Sequence, residues 1–121
     1  VKNALDGKKL PVYGDGKQRR CWLYLEDLNT AIQTIIEKGT FGEVYNIGGE
    51  EKENLEVIRI IQEETNGEIE FVKDRLGHDR RYCVDDKKLI TLGWKPSSES
   101  FEQKLRKTIQ WYKEQYEKSQ V

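Results

Sequence analysis

Apolar residues recur at helical spacing in three stretches of the chain. Leu25, Leu28, Ala31, Ile32, Ile35 and Ile36 form one stripe, which predicts a helix over 26–38 ended by Gly39. Leu55, Ile58 and Ile61 share a face in a second helix over about 55–65, with Asn54 read as its N-cap and Gly67 at its stop. Phe101, Leu105, Ile109, Tyr112 and Tyr116 line a third over about 100–117, where Ser100 and Gln103 suit a capping box. Shorter helical pieces are expected at 1–7, stopped by Gly7, and at 85–92, stopped by Gly93. Between them, Leu10–Tyr13, Arg20–Tyr24, Glu43–Ile47, Ile69–Val72 and Arg81–Val84 read as extended. Gly14-Asp15-Gly16 reads as a hairpin turn, Gly48-Gly49 as a break, and 74–80 as a charged loop.

Strands and helices alternate, which places the chain in the α/β class. The strands are short and scattered. Glu43–Ile47, preceded by an amphipathic helix, looks like the last crossover unit of a sheet begun elsewhere. Bare sheet edges invite pairing with another chain, so self-association or segment swapping is expected. Trp22, Trp94, Trp111 and Tyr112 are expected in the core or in packing between lobes.

At 121 residues a single domain is the natural expectation. Charged residues make up 36%, which is polar for a self-sufficient domain. The net charge of −1 gives no global field favouring nucleic acid or a membrane. The arginines of Gln18-Arg19-Arg20 and Asp79-Arg80-Arg81-Tyr82 are interleaved with acidic residues and do not change this. No apolar run is long enough for a bilayer span and no secretory signal is seen, so a cytoplasmic protein is expected. Cys21 and Cys83 match no metal-ligand spacing and read as free thiols in a reducing compartment. The single histidine rules out a multi-histidine metal site. Methionine is absent, so Val1 is read either as a trimmed start or as an internal residue of a longer chain. There is no Gly-rich dinucleotide turn opening a helix, no P-loop and no nucleophile elbow.

Five segments together resemble the extended short-chain dehydrogenase/reductase family, and within it the dTDP-glucose 4,6-dehydratases. They are LPVYGDGKQRRCWLYLEDL (10–28), GEVYNIGG (42–49), ENLEVI (53–58), DRLGHDRRYCVD (74–85) and LGWKP (92–96). The resemblance implies a two-lobed enzyme. Its N-terminal lobe binds NAD and carries a Tyr-x-x-x-Lys pair, a Thr or Ser, and an Asp–Glu acid/base pair. It oxidises the sugar at C4, eliminates water across C5 and C6, and returns the hydride. That set is not expected in this chain. Residues 1–121 are therefore expected to be a C-terminal nucleotide-sugar-binding domain, with no NAD and no turnover of its own. The alternative is a free-standing nucleotide-sugar-binding or interaction module without catalysis.

The resemblance carries six substrate-binding positions. Arg20 matches a diphosphate-contacting arginine, and the planar guanidinium fork fits phosphate. Asn54 matches an asparagine at a helix start, where free N–H groups favour anions. Arg75 and His78 match the Arg and His of a loop that closes on the phosphates. Pro11 and Tyr13 match a nucleobase-contacting pair, a flat aromatic beside a rigid ring. Arg19 is expected to face away from Arg20, since strand neighbours point to opposite faces. Two departures stand out: Cys21 replaces the Asp usual after the arginine, and Leu76 replaces the usual Pro of the loop. The base is left open among dTDP, UDP, CDP and GDP.

Overall fold

The computed structural model describes residues 1–120. Its elements follow the order α1 (Lys2–Leu5), β1 (Leu10–Tyr13), β2 (Arg19–Trp22), α2 (Leu25–Lys38), β3 (Glu50–Glu53), α3 (Asn54–Thr65), β4 (Ile69–Val72), β5 (Arg81–Tyr82), α4 (Lys87–Thr91) and α5 (Phe101–Ser119). The class is α/β, with five helices among short strands, as the alternating pattern predicts.

The strands fall into two sheets. β1 pairs with β4 in parallel, Leu10 opposite Ile69 and Tyr13 opposite Val72. The second sheet has the order β3-β2-β5, antiparallel on one side of β2 and parallel on the other. Both parallel pairings join the same two stretches of sequence. The segment 14–18 carries the chain from β1 to β2, and 73–80 carries it from β4 to β5, so the two connections cross between the sheets side by side. Backbone bonds seam them at both ends: Gly14 donates to Val72 at 2.9 Å and Arg19 donates to Arg80 at 2.8 Å.

Gly14-Asp15-Gly16 is a turn, but not the hairpin turn expected, because β1 and β2 never pair. Both glycines have positive φ, 61° and 72°. A Cβ on Gly16 would lie 2.6 Å from a Val12 methyl, so this turn packs directly onto β1.

Ala31, Leu89 and Trp94 form a buried cluster, with Ile35, Ile47 and Leu92 packed against it. The Trp94 indole N–H donates to the Thr30 hydroxyl at 3.1 Å. Of the four aromatics expected in the core or in packing between lobes, Trp94 is in the core; Trp22, Trp111 and Tyr112 are exposed in this chain. The α2 stripe is likewise only partly covered, since Ala31 is buried while Leu25, Ile32 and Ile36 are exposed. α2 and α5 are joined by a buried ion pair, Lys104 Nζ to Asp27 Oδ2 at 2.7 Å. The other Asp27 oxygen accepts from the Ser97 N–H at 2.7 Å, so the charge is well satisfied. Arg106 ties α5 to α3 through Glu63 and Glu64.

Two further expectations are corrected, and one strand was not foreseen. Glu43–Ile47 is not a strand: no ladder partner exists for it among the described residues. It is held instead by Lys88, which donates to the Val44 carbonyl at 2.9 Å, and by Asn46, which donates to the Asp85 carbonyl at 3.4 Å. β3, with the sequence Glu-Glu-Lys-Glu, has no intrinsic strand signal. It pairs because Arg19 on β2 reaches Glu51 at 3.4 Å and Glu53 at 3.6 Å, with Arg81 on Glu51 at 2.5 Å. Asn54 is not the N-cap of α3. Glu53 caps it through a capping box with Glu56, and Asn54 is the first helical residue. At the other end Asn66, at φ 55°, makes the left-handed stop ahead of Gly67.

Cys21 and Cys83 are not free thiols. They form a disulfide with Cα atoms 5.2 Å apart. The parallel register places Arg20 opposite Tyr82, and the residues that follow each of these are the two cysteines. A separation of 62 residues in sequence hides that adjacency. Among the described residues, no helix is long and apolar enough to cross a membrane, and no cluster of His, Cys, Asp and Glu could hold a metal ion.

Two outcomes follow for stability. Reducing the disulfide, or Cys21→Ser, lowers the unfolding free energy by at most about 4 kcal/mol, the chain-entropy limit for a loop of this length; melting with and without reductant measures it, and unreduced denatured protein should show no reactive thiol. Lys104→Met strands the buried Asp27 charge and costs about 3–5 kcal/mol in urea unfolding.

Candidate functional site

The side-by-side connections carry most of the candidate residues. Tyr13 ends β1, and its ring is met by two groups from the 73–80 segment. The Arg75 guanidinium carbon lies 5.2 Å from the ring centroid, in cation–π contact. The His78 ring stands edge-on to it at 6.2 Å and 86°. Asp74 holds both loop residues: its Oδ1 accepts from the Arg75 backbone N–H at 2.8 Å and lies 2.6 Å from His78 Nδ1. These contacts keep the His78 ring largely buried, at 6% exposure, while the Asp74 carboxylate is at 43%. The hydrogen bond from His78 holds the Asp74 carboxyl below the usual carboxylate range.

Arg20 approaches the same loop from β2. Its Nη2 donates to the Asp79 carbonyl at 2.8 Å and its Nη1 to the Arg19 carbonyl at 2.8 Å. Its remaining N–H groups have no partner among the described residues and are free for an anion. Arg19 faces Glu51 and Glu53 across the β2–β3 ladder, in keeping with the opposite-face expectation. Asn54 sits at the first turn of α3, its backbone N–H donating to the Gln18 carbonyl at 2.9 Å. The Asn54 side-chain oxygen is buried without a hydrogen-bond partner. Pro11 lies two residues before Tyr13 on the same exposed face of β1 and makes no recorded contact with the other five.

Tyr13, Arg75 and His78 thus touch one another, and Arg20 reaches their loop. Asn54 is joined to them through Gln18, and Pro11 only shares a strand face. Sequence reading missed the residues that tie this together. Gln18 is 1% exposed, and its Nε2 donates to the Tyr13 carbonyl at 2.9 Å and to Asp74 Oδ2 at 3.3 Å. Asp15 takes a two-pronged bond from Arg80, at 2.8 and 3.0 Å. The available signal was an acidic residue in each connection, Asp15 and Asp74, within a stretch rich in arginine. Tyr13 and Lys17 have Tyr-x-x-x-Lys spacing, but they flank a turn rather than lying on a helix, where residues four apart share a face.

A cavity of about 510 Å³ lies elsewhere, lined by Trp22, Tyr24, Asp27, Ile61, Trp94 and Lys104 among others, and by none of the six candidates. It is mainly apolar; Lys104 on its wall is already paired with Asp27, and its other charged side chains, Glu50, Asp86 and Glu99, are acidic. The exposed arginine loop has the chemistry an anion needs, and the cavity does not.

The Arg80 guanidinium lowers the Asp15 carboxyl to about 2. A depressed carboxyl stabilises the fold above its unfolded value and loses that contribution as pH falls toward its folded value. The Asp15–Arg80 clasp is therefore complete above about pH 4, the ordinary carboxylate value, and is lost from there down through about 2. The carboxyl-carbon NMR titration of Asp15 reads this; a midpoint at the ordinary value contradicts it.

The family model for GDP-mannose 4,6 dehydratase matches residues 1–108. The chain is 46% identical over 124 residues to dTDP-glucose 4,6-dehydratase 1 of Escherichia coli strain K12, covering 93% of this chain and 34% of that protein. It is 50% identical over 128 residues to the dTDP-glucose 4,6-dehydratase of Neisseria meningitidis serogroup B, covering 93% and 36%. Among solved structures, dTDP-glucose 4,6-dehydratase from Bacillus anthracis in complex with NAD aligns with a TM-score of 0.79 at 46% identity, over 93% of this chain and 37% of that one. The Streptomyces venezuelae dTDP-glucose 4,6-dehydratase with NAD and TYD bound aligns with a TM-score of 0.81 at 38% identity, over 93% and 36%. The chain spans about a third of the length of these relatives. The match over residues 1–108, the shared α/β architecture and the identity to dehydratases agree: this chain belongs to the GDP-mannose 4,6 dehydratase family, and is similar to part of the dTDP-glucose 4,6-dehydratases.

Proposed function

We propose that this chain is the part of an NAD-dependent dTDP-glucose 4,6-dehydratase that holds the nucleoside diphosphate of the sugar substrate. The observation that carries this reading is the meeting of Arg20 and the Arg75–His78 loop beside the exposed Tyr13 ring. A diphosphate needs oriented N–H donors and cationic charge, and the Arg20 and Arg75 guanidinium groups supply both. The Tyr13 face, with Pro11 beside it on the strand, suits a pyrimidine. Asn54 contributes from the start of α3, where the helix end favours negative charge.

The residues described do not fit a dinucleotide cofactor. Gly14 and Gly16 lead into β2 rather than a helix, and the space over Gly16 is filled by Val12 and Leu55. No hydride step is assigned to them. What these side chains do is bind and orient the nucleotide end of the substrate, which fixes where the sugar is presented.

Calorimetry with thymidine diphosphate tests the reading. Arg20→Ala should weaken binding about tenfold or more, the cost of a charge-assisted phosphate contact. Arg19→Ala, which removes only exposed ion pairs, should change affinity far less. A folded chain that binds no thymidine diphosphate, or binds it equally well without Arg20, contradicts the assignment.

A further inference from the structure

We propose that Gln18, buried between the two connections, is the positioning residue of the nucleotide site: its carboxamide ties the strand end to the phosphate loop, and its backbone carbonyl holds the helix start beside them. The inference rests on the nucleotide reading above and adds the residue that organises it.

Three bonds define the role. The Gln18 Nε2 donates to the Tyr13 carbonyl at 2.9 Å, which holds the end of β1. The same Nε2 donates to Asp74 Oδ2 at 3.3 Å, while Asp74 Oδ1 takes Arg75 and His78. The Gln18 backbone carbonyl accepts from the Asn54 N–H at 2.9 Å. Tyr13, Asn54, Arg75 and His78 are thus linked through one residue that has no direct claim on the ligand itself.

The chemistry is specific to a carboxamide. Two acceptors, a carbonyl and a carboxylate, must be met by two N–H groups from one planar head. A carboxylate of the same shape would set a negative charge against both. A hydrophobe would suit a position 1% exposed, if packing were the only requirement. The carboxamide is present although its own Oε1 is buried without a partner. An unsatisfied buried oxygen is costly, so the residue serves for its donors and not for its burial. A side chain at Gly14 would crowd the same Asp74 oxygen, since Oδ2 lies 3.1 Å from where a Cβ there would be.

His78 is the only histidine in the chain, so its ring nitrogen signals report the bond to Asp74 without ambiguity. Two variants separate donor from packing roles: Gln18→Glu keeps the shape and removes the donors, and Gln18→Met keeps the bulk alone. Both should retain the wild-type circular dichroism, shift the His78 ring ¹⁵N signals in ligand-free protein, and weaken thymidine diphosphate binding about tenfold or more, in keeping with the loss of both carboxamide hydrogen bonds. Unchanged affinity in a folded variant, beside a wild type that binds, overturns the proposal whatever the ring signals do. A wild type that binds no thymidine diphosphate while both variants still shift the His78 signals overturns the nucleotide reading and supports the positioning role. Should both variants unfold, the wild-type carboxamide protons decide: the Gln18 pair should exchange far more slowly than those of the exposed Gln33, and exchange at the same rate overturns the proposal.

Discussion

The candidate site depends on two parallel strand pairings being satisfied at once. β1 lies beside β4 and β2 beside β5, so the chain must cross between the sheets twice, along the same path. Crossing segments carry backbone polar groups that neither sheet satisfies. Two backbone bonds take up some of these, Gly14 to Val72 and Arg19 to Arg80, and two side-chain pairs, Gln18 with Asp74 and Arg80 with Asp15, hold the segments together. Without either pairing, the Arg75–His78 loop would have no fixed relation to Arg20 or Tyr13. The Cys21–Cys83 bond reinforces the weaker pairing, since β5 is only two residues long.

Charge is arranged to hold cations in place without cancelling them. Asp15 and Asp74 each clasp a loop residue, and Glu51 and Glu53 occupy Arg19 and Arg81. Arg20 and Arg75 make no carboxylate ion pair among those recorded, and both belong to the candidate set. Acidic partners fall on Arg19, Arg80, Arg81 and Arg106, and leave Arg20, Arg59 and Arg75 without one among the described residues.

Much of this was legible in the sequence. The long helices at 25–38, 54–65 and 101–119 follow from apolar spacing, and the Ser100–Gln103 box from its capping residues. Glu43–Ile47 forms no strand here because strandhood needs a partner, and none of the described segments supplies one; its expected sheet was one begun elsewhere. β3 was invisible because four charged residues pair only when Arg19 and Arg81 arrive from distant sequence. The disulfide was missed for the same reason: its proximity is a property of register, not of spacing. For the site, residue types and motif order named the six candidates, yet Gln18 escaped. A buried carboxamide looks like any polar surface residue until its two acceptors are placed around it.

Whether separate segments converge on one anion is read most directly by adding thymidine diphosphate to ¹⁵N-labelled chain and mapping which amide signals move. Concerted shifts at Tyr13, Gln18, Arg20, Asn54, Arg75 and His78, with the Asp27–Lys104 region quiet, are the expected result. Shifts confined to the apolar cavity around Trp22, Trp94 and Lys104, with the 73–80 loop unmoved, would contradict it.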